Sequence, residues 1–255
     1  MKQYYFISGL PRSGSTLLSA ILNQNPKFSA GISTNLLPHV RQTIEAGNGA
    51  RKEFDEKRLK RIIKATVDAY YEDNEKEVIF DTNRLWNNLL PQLRDCYPYT
   101  KIIVCVRDIN KIIDSFERLH QLNPYRISTI FPANTDLDVY TRANSLFDVN
   151  GMVLTPYNAL KSALTGINSD MLFFMEYEIL CKNPKGMMQA IYNFIGQDYF
   201  EHDFNNVESS YDEYDEDVGI KDLHKTRKVV EYSERDYCIP PDIINQYKNY
   251  EVWRQ

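Results

Sequence analysis

Tyr4-Tyr5-Phe6-Ile7-Ser8-Gly9-Leu10-Pro11-Arg12-Ser13-Gly14-Ser15-Thr16-Leu17-Leu18 is the stretch that decides the fold. Tyr4 to Ser8 is apolar enough for a short buried strand, a Gly/Pro/Ser turn follows, and a helix-period segment opens near Ser15. Strand, glycine-containing turn and helix in that order nearly match the phosphate-cradling pattern G-x-x-x-x-G-K-[ST]. In that pattern backbone N–H groups and a helix N-terminus take phosphate oxygens. One position departs: Ser15 stands where the Lys belongs. Without it, the cation that bridges the β- and γ-phosphates is missing, which disfavours ATP or GTP chemistry. Arg12 supplies a cation earlier in the loop, and its guanidinium suits bidentate phosphate binding.

Working outward, Val78 to Phe80, Lys101 to Val106 and Met171 to Met175 also read as short buried strands, each followed by a helix-period segment. The helices expected are about 15–25, 36–47, 55–73, 86–95, 109–121, 139–165 with a break near Pro156, 185–195 and 240–250. Strands apolar on both faces and alternating with helices imply a mostly parallel central sheet covered on both sides, a P-loop-like three-layer α/β/α fold. No repeat or Pro/Ser-rich linker divides the chain, so residues 1–255 read as one domain. Ligands of such sheets bind beyond the carboxyl ends of the strands. Functional residues are therefore expected just after Ser8, Phe80, Val106 and Met175.

At these positions the chain resembles the sulfotransferases that use 3′-phosphoadenosine 5′-phosphosulfate (PAPS). Pro11-Arg12-Ser13-Gly14-Ser15-Thr16-Leu17 is similar to their 5′-phosphosulfate loop, P-[KR]-[ST]-G-[ST]-[ST]. Lys101 to Asp108 with Ser115, eight residues beyond Arg107, resembles their 3′-phosphate motif, and two helical turns let both side chains face one ligand. Glu176-Tyr177-Glu178-Ile179-Leu180 with Asn183-Pro184 resembles a Y-E-x-L…P segment of the tyrosylprotein-sulfotransferase-like branch. Leu223-His224-Lys225-Thr226-Arg227-Lys228 is similar to the basic segment that closes over the nucleotide there. The resemblance covers about residues 4–250. It implies a PAPS site made of Arg12, Ser13, Gly14, Ser15, Thr16, Leu17, Arg107, Ser115, Tyr177, Lys225 and Arg227, with the bisphosphate PAP as product.

The acceptor side departs from that branch. Its catalytic Glu aligns with Ile32 of Ala30-Gly31-Ile32-Ser33-Thr34-Asn35, and a catalytic Lys aligns with Thr82 of Asp81-Thr82-Asn83-Arg84. Protein tyrosine as the acceptor is thereby put in question. Asp81, at a strand end, is the favoured substitute base because burial raises a carboxylate's pKa; His39 is the other candidate, and Arg84 is a possible ion-pair partner of Asp81. The expected reaction is metal-independent, in-line sulfuryl transfer to a hydroxyl or amine of a small molecule, sugar or peptide, with Arg12 and the loop amides stabilising the leaving phosphate. Two alternatives stay open: a P-loop kinase using a nucleoside triphosphate, and a degenerate relative that binds nucleotide without transferring anything.

Charge placement supports an anion site. The net charge is −5, but residues 198–217 hold nine carboxylates and no Lys or Arg, leaving 30 basic against 26 acidic residues, or +4, elsewhere. That stretch reads as a solvated, mobile loop ahead of a basic flap, the two together spanning 198–235. The segment 121–166, with Pro124 and Pro132, reads as an acceptor-side helical insert. Neither a nucleic acid nor a membrane is an expected partner: no apolar run reaches membrane-spanning length, and no signal peptide is visible. His39, His120, His202 and His224 show no metal-ligand spacing, and four scattered cysteines read as reduced thiols of a cytoplasmic protein.

Overall fold

The computed structural model describes residues 2–47, 55–125, 131, 138–209 and 211–254. Its sheet contains β1 (Gln3–Gly9), β2 (Phe28–Ser33), β3 (Val78–Thr82), β4 (Ile102–Val106) and β5 (Leu172–Glu176). All four pairings are parallel, in the order β2-β3-β1-β4-β5. The chain leaves β1 for the β2 edge, returns to β3, then crosses to β4 on the other side of β1. The direction of winding thus switches at β1, and a crevice opens beyond the carboxyl ends of β1, β3 and β4. Four of the strands coincide with apolar runs of the sequence. The fifth, β2, is an edge strand with only Phe28 buried and with Gly31 inside it, so it lacks a continuous apolar run.

Eleven α-helices stand among the described residues: α1 (Ser15–Leu22), α2 (Leu36–Gly47), α3 (Glu56–Tyr70), α4 (Leu90–Cys96), α5 (Ile109–Leu122), α6 (Val139–Ser145), α7 (Leu154–Leu164), α8 (Tyr177–Lys182), α9 (Pro184–Ile195), α10 (Asp212–Val218) and α11 (Pro241–Gln246). The expected helix over 86–95 divides into a short 3-10 turn, Trp86–Leu89, and α4. The break within 139–165 falls between Ser145 and Leu154 rather than at Pro156. Pro156 lies in the first turn of α7, where its missing N–H leaves no helical bond unmade.

Alternation along the strands builds the two covering layers. Tyr4, Phe6, Ile79, Ile102 and Val104 pack on one face against α2, α3, α4 and α7. Tyr5, Ile7, Phe80, Ile103 and Cys105 pack on the other against α1 and α9. Phe6 and Ile7 are both fully buried, and each such side chain contributes roughly 1.5–3 kcal/mol. A third cluster joins α5 and α6 to α11 through Phe116, Ala143 and Ile243.

The acidic stretch does not behave as the solvated loop its composition implies. Val207 N–H donates to the Lys228 carbonyl and Val230 N–H to the Phe204 carbonyl, each at 2.8 Å, so the stretch pairs with the flap that follows it. Val207, His202 and Asp215 are buried. Its apolar residues, interleaved with the acids, anchor it to the layer over α1 and α9.

Candidate active site

A cavity of about 930 Å³ opens at the carboxyl ends of the strands. Its floor is the loop after β1. Gly9 sits at φ +114, and a Cβ there would lie 2.1 Å from the Cys105 carbonyl oxygen, so only glycine lets β1 and β4 stay paired at this exit. Gly14 caps α1 at φ +87 against the Tyr177 ring, where an added Cβ would approach to 2.5 Å. With no side chain capping α1, its first-turn amides have only the cavity side to look to. Gly14, Ser15, Thr16 and Leu17 all line that cavity. Ser13 is buried, its hydroxyl donating to the Pro11 carbonyl.

Arg12 adopts φ +56, a left-handed conformation that costs about 1–3 kcal/mol for a side-chain-bearing residue. Arg107 Nη1 holds its carbonyl at 3.1 Å, while Arg12 Nε donates to Ser115 Oγ at 3.1 Å and Arg12 Nη1 to the Leu223 carbonyl. Two motifs separated by about a hundred residues thus meet. Arg107 leaves the end of β4 and lies over the Tyr177 ring, 4.3 Å from its centroid, and its Nε bonds Glu178 at 3.1 Å. The neighbouring Asp108 turns away and caps α5 by accepting from the N–H groups of Asn110 and Lys111. Tyr177 begins α8 at the end of β5, and burial raises its phenol pKa.

Arg84, a possible ion-pair partner of Asp81 by sequence, instead joins this group from the end of β3. Neither Arg12 nor Arg84 has a carboxylate within salt-bridge distance among the described residues. Burial and the charges of Arg107 and Arg84 lower the Arg12 pKa to about 10. Burial lowers that of Arg84 as well. The two guanidinium groups are buried and crowded, with Asp215 acting on Arg12 as the opposing charge.

The flap forms the roof, with Leu223, His224, Lys225, Thr226 and Arg227 lining the cavity. Lys225 is exposed and pairs with Asp222 at 3.3 Å; Arg227 is exposed at the mouth. His224 Nδ1 lies 2.6 Å from Asp215 Oδ1, and the His224 N–H donates to Asp215 Oδ2 at 2.8 Å. In the sequence nothing but its place in the basic segment and its lack of metal-ligand spacing marks His224. From the 121–166 insert, Leu122, Asn150, Gly151, Met152, Thr155 and Pro156 line the cavity; Pro132 falls outside the described residues.

Asp81 is not among the cavity residues, which corrects the placement expected for a base. It is 1% exposed and accepts from Thr34 Oγ1 (2.6 Å), Tyr71 OH (2.5 Å) and Trp86 Nε1 (2.6 Å). Strand parity explains this: Phe80 faces α1 and α9, so Asp81 faces the opposite helical layer. Burial raises its pKa while the three donors pull it down, with burial the larger. His39 lies on the exposed face of α2 and does not line the cavity either. Thr82 does line it, with its hydroxyl given to the Gly31 carbonyl at 2.7 Å. Among the described residues no three His, Cys, Asp or Glu side chains gather as a metal site would require.

A parallel sheet of this order, with a glycine-containing loop and a helix N-terminus after its central strand, is a P-loop-like α/β architecture. Residues 5–201 match the model of the sulfotransferase family, and the chain belongs to that family. A Caenorhabditis briggsae protein, provisionally named a protein-tyrosine sulfotransferase, is 26% identical over 208 residues, covering 78% of this chain and 67% of that protein. The sulfotransferase domain of the Synechococcus PCC 7002 olefin synthase shares the fold at a TM-score of 0.56 and 18% identity, over 98% of this chain and 89% of that one. Retinol dehydratase, solved with androsterone and the inactive cofactor PAP, shares it at a TM-score of 0.54 and 13% identity, over 97% and 79% of the two chains. The kinase reading is set aside by the family and by Ser15 in place of the bridging Lys.

Proposed function

We propose that the chain uses PAPS as sulfuryl donor and a hydroxyl or amine of a small molecule, sugar or peptide as acceptor. One observation carries this reading: Arg12, Arg84 and Arg107 line one cavity, and two of them lack a carboxylate partner, as a site for a multiply charged anion requires. Such a donor suits the residues present. Arg12 with the amides of Ser13 to Leu17 would hold the phosphosulfate end; Arg107 and Ser115 would hold a 3′-phosphate. Tyr177, Lys225 and Arg227 would border the nucleotide. Retinol dehydratase, a relative in fold, was solved with PAP.

When bound, PAPS supplies the sulfuryl group and departs as the bisphosphate. The chain's own residues do the rest. Arg12 and the α1 N-terminus stabilise charge as it grows on the leaving phosphate, with little rearrangement because Ser115, Leu223 and Arg107 already fix that arginine. Ile32, Leu85, Met152 and Pro156 give the acceptor side a partly apolar wall, which positions an acceptor by shape. We treat residues 1–255 as one sulfotransferase domain, in which the 121–166 insert forms part of that wall and the 198–235 region the roof. No helix among the described residues is long and apolar enough to cross a membrane. We assign the protein to the cytoplasm on its four unpaired cysteines.

Calorimetric titration tests the donor site. Adenosine 3′,5′-bisphosphate binds the wild type and ATP does not compete, while Arg107→Ala lowers bisphosphate affinity by roughly tenfold or more, the scale of a charge-assisted hydrogen bond. Tight ATP binding without bisphosphate binding would overturn the reading. Transfer of labelled sulfate to a panel of phenols, sugars and tyrosine peptides then identifies the acceptor class.

A further inference from the structure

The acceptor's proton needs a destination, and neither Asp81 nor Ile32 offers one. His224 lies elsewhere in the same cavity, on the flap residue that follows Leu223, whose carbonyl Arg12 holds. We propose that His224 is the general base that deprotonates the acceptor, with Asp215 as its positioning residue. This rests on the reading of the cavity as the transfer site.

Asp215 grips His224 at two points: one carboxylate oxygen takes the backbone N–H at 2.8 Å, and the other lies 2.6 Å from Nδ1. Asp215 is itself 3% exposed on α10, so it has little water to compete for it. A buried carboxylate on Nδ1 fixes the proton there and leaves Nε2 as the acceptor nitrogen. The groups facing the ring are Asp215, the Tyr214 and Tyr211 rings at 5.3 and 6.1 Å, Arg12 from the β1 loop and Arg84 from the end of β3. Burial is the largest influence and, with the two arginines, outweighs the pull of Asp215, lowering the His224 pKa from its ordinary 6.5. The ring is neutral at pH 7 and ready to accept a proton.

In the step, the acceptor O–H bond breaks as its oxygen bonds to sulfur, and the proton passes to Nε2. The sulfur–oxygen bond to the donor phosphate breaks, and its electron pair leaves on that phosphate oxygen. The imidazolium, its charge balanced by Asp215, returns the proton to solvent when the flap opens.

Three measurements on the full chain decide it. The first needs no acceptor: nitrogen NMR of labelled histidine in the ligand-free protein should show His224 neutral at pH 7 with its proton on Nδ1. A doubly protonated ring at pH 7, or a proton on Nε2, overturns the proposal. In the second, His224→Gln retains bisphosphate binding but loses roughly 100-fold or more in transfer to 4-methylphenol, and far less to 4-nitrophenol, which ionises near neutral pH unaided. Wild-type transfer, or equal loss with both phenols, overturns the role. In the third, Asp215→Asn removes the group that raises the His224 pKa, so the acid limb of the pH–rate profile moves to lower pH; an unmoved limb denies Asp215 its part. Absence of bisphosphate binding by the wild type would instead break the reading of the cavity, while binding combined with wild-type transfer by His224→Gln breaks this inference alone.

Discussion

Strand ends on the same sheet use their polar residues in opposite ways. After β1 and β4 the chain directs Arg12 and Arg107 into the cavity and locks them to each other through the Arg12 carbonyl. At the end of β3 the corresponding carboxylate, Asp81, turns inward and gives both oxygens to Thr34, Tyr71 and Trp86. A strand end is therefore not enough to make a polar residue functional. Its position inside or beyond the strand, and the face that position selects, decide whether it meets ligand or core.

That contrast can be broken most forcefully at Arg12. Arg12→Ala should lower turnover by about 10²–10³, the scale of removing one preorganised donor to a developing anion, with thermal stability largely retained because a crowded, buried cation is removed while the left-handed φ stays as strained for Ala as for Arg. Steady-state rates together with a melting curve check both halves. Asp81→Ala should do the reverse: about 3 kcal/mol of stability is lost by stranding three buried donors, while bisphosphate affinity of the folded fraction is unchanged. Because the folded Asp81 pKa is raised, the folded state binds the extra proton. Wild-type stability relative to Asp81→Asn should then fall as pH rises above the unfolded value of 3.8, as denaturant titrations across pH would show. The smallest effect belongs to Lys225→Ala. Exposed and already paired with Asp222, Lys225 contributes no more than about 1 kcal/mol, and its removal should weaken bisphosphate binding only a few-fold, less still at high salt.

The same contrast explains what could be read in the sequence. The β1 loop was legible because strand, turn and helix are contiguous, even though Gly9 and Gly14 are required by close approaches to the distant Cys105 and Tyr177. Arg107 and Ser115 were legible because one strand and one helix fix their spacing. Asp81 was misread for want of its strand's parity, which depends on which face Phe80 takes. Arg84 was available by analogy, a basic residue just past a strand like Arg12 and Arg107, yet its nearness to Asp81 suggested an ion pair. His224 and Asp215 lie nine residues apart on irregular chain and a short helix, where no periodicity sets the register. Contacts between the acidic stretch and the flap, among them the hydrogen bonds of Val207 and Val230 and that between Ser209 and Thr226, bring them into one region. β2 was missed because an edge strand with one buried residue carries little apolar signal.

The three crowded arginines carry a thermodynamic consequence for the empty protein. Burial lowers the Arg12 pKa most, Arg107 and Arg84 lower it further, and Asp215 acts to raise it, so like charges meet in this cavity with only partial compensation. An anion that neutralises them is linked to folding by mass action, adding about 2.7 kcal/mol when present at a hundred times its Kd. Its melting temperature should consequently rise with the concentration of any such anion.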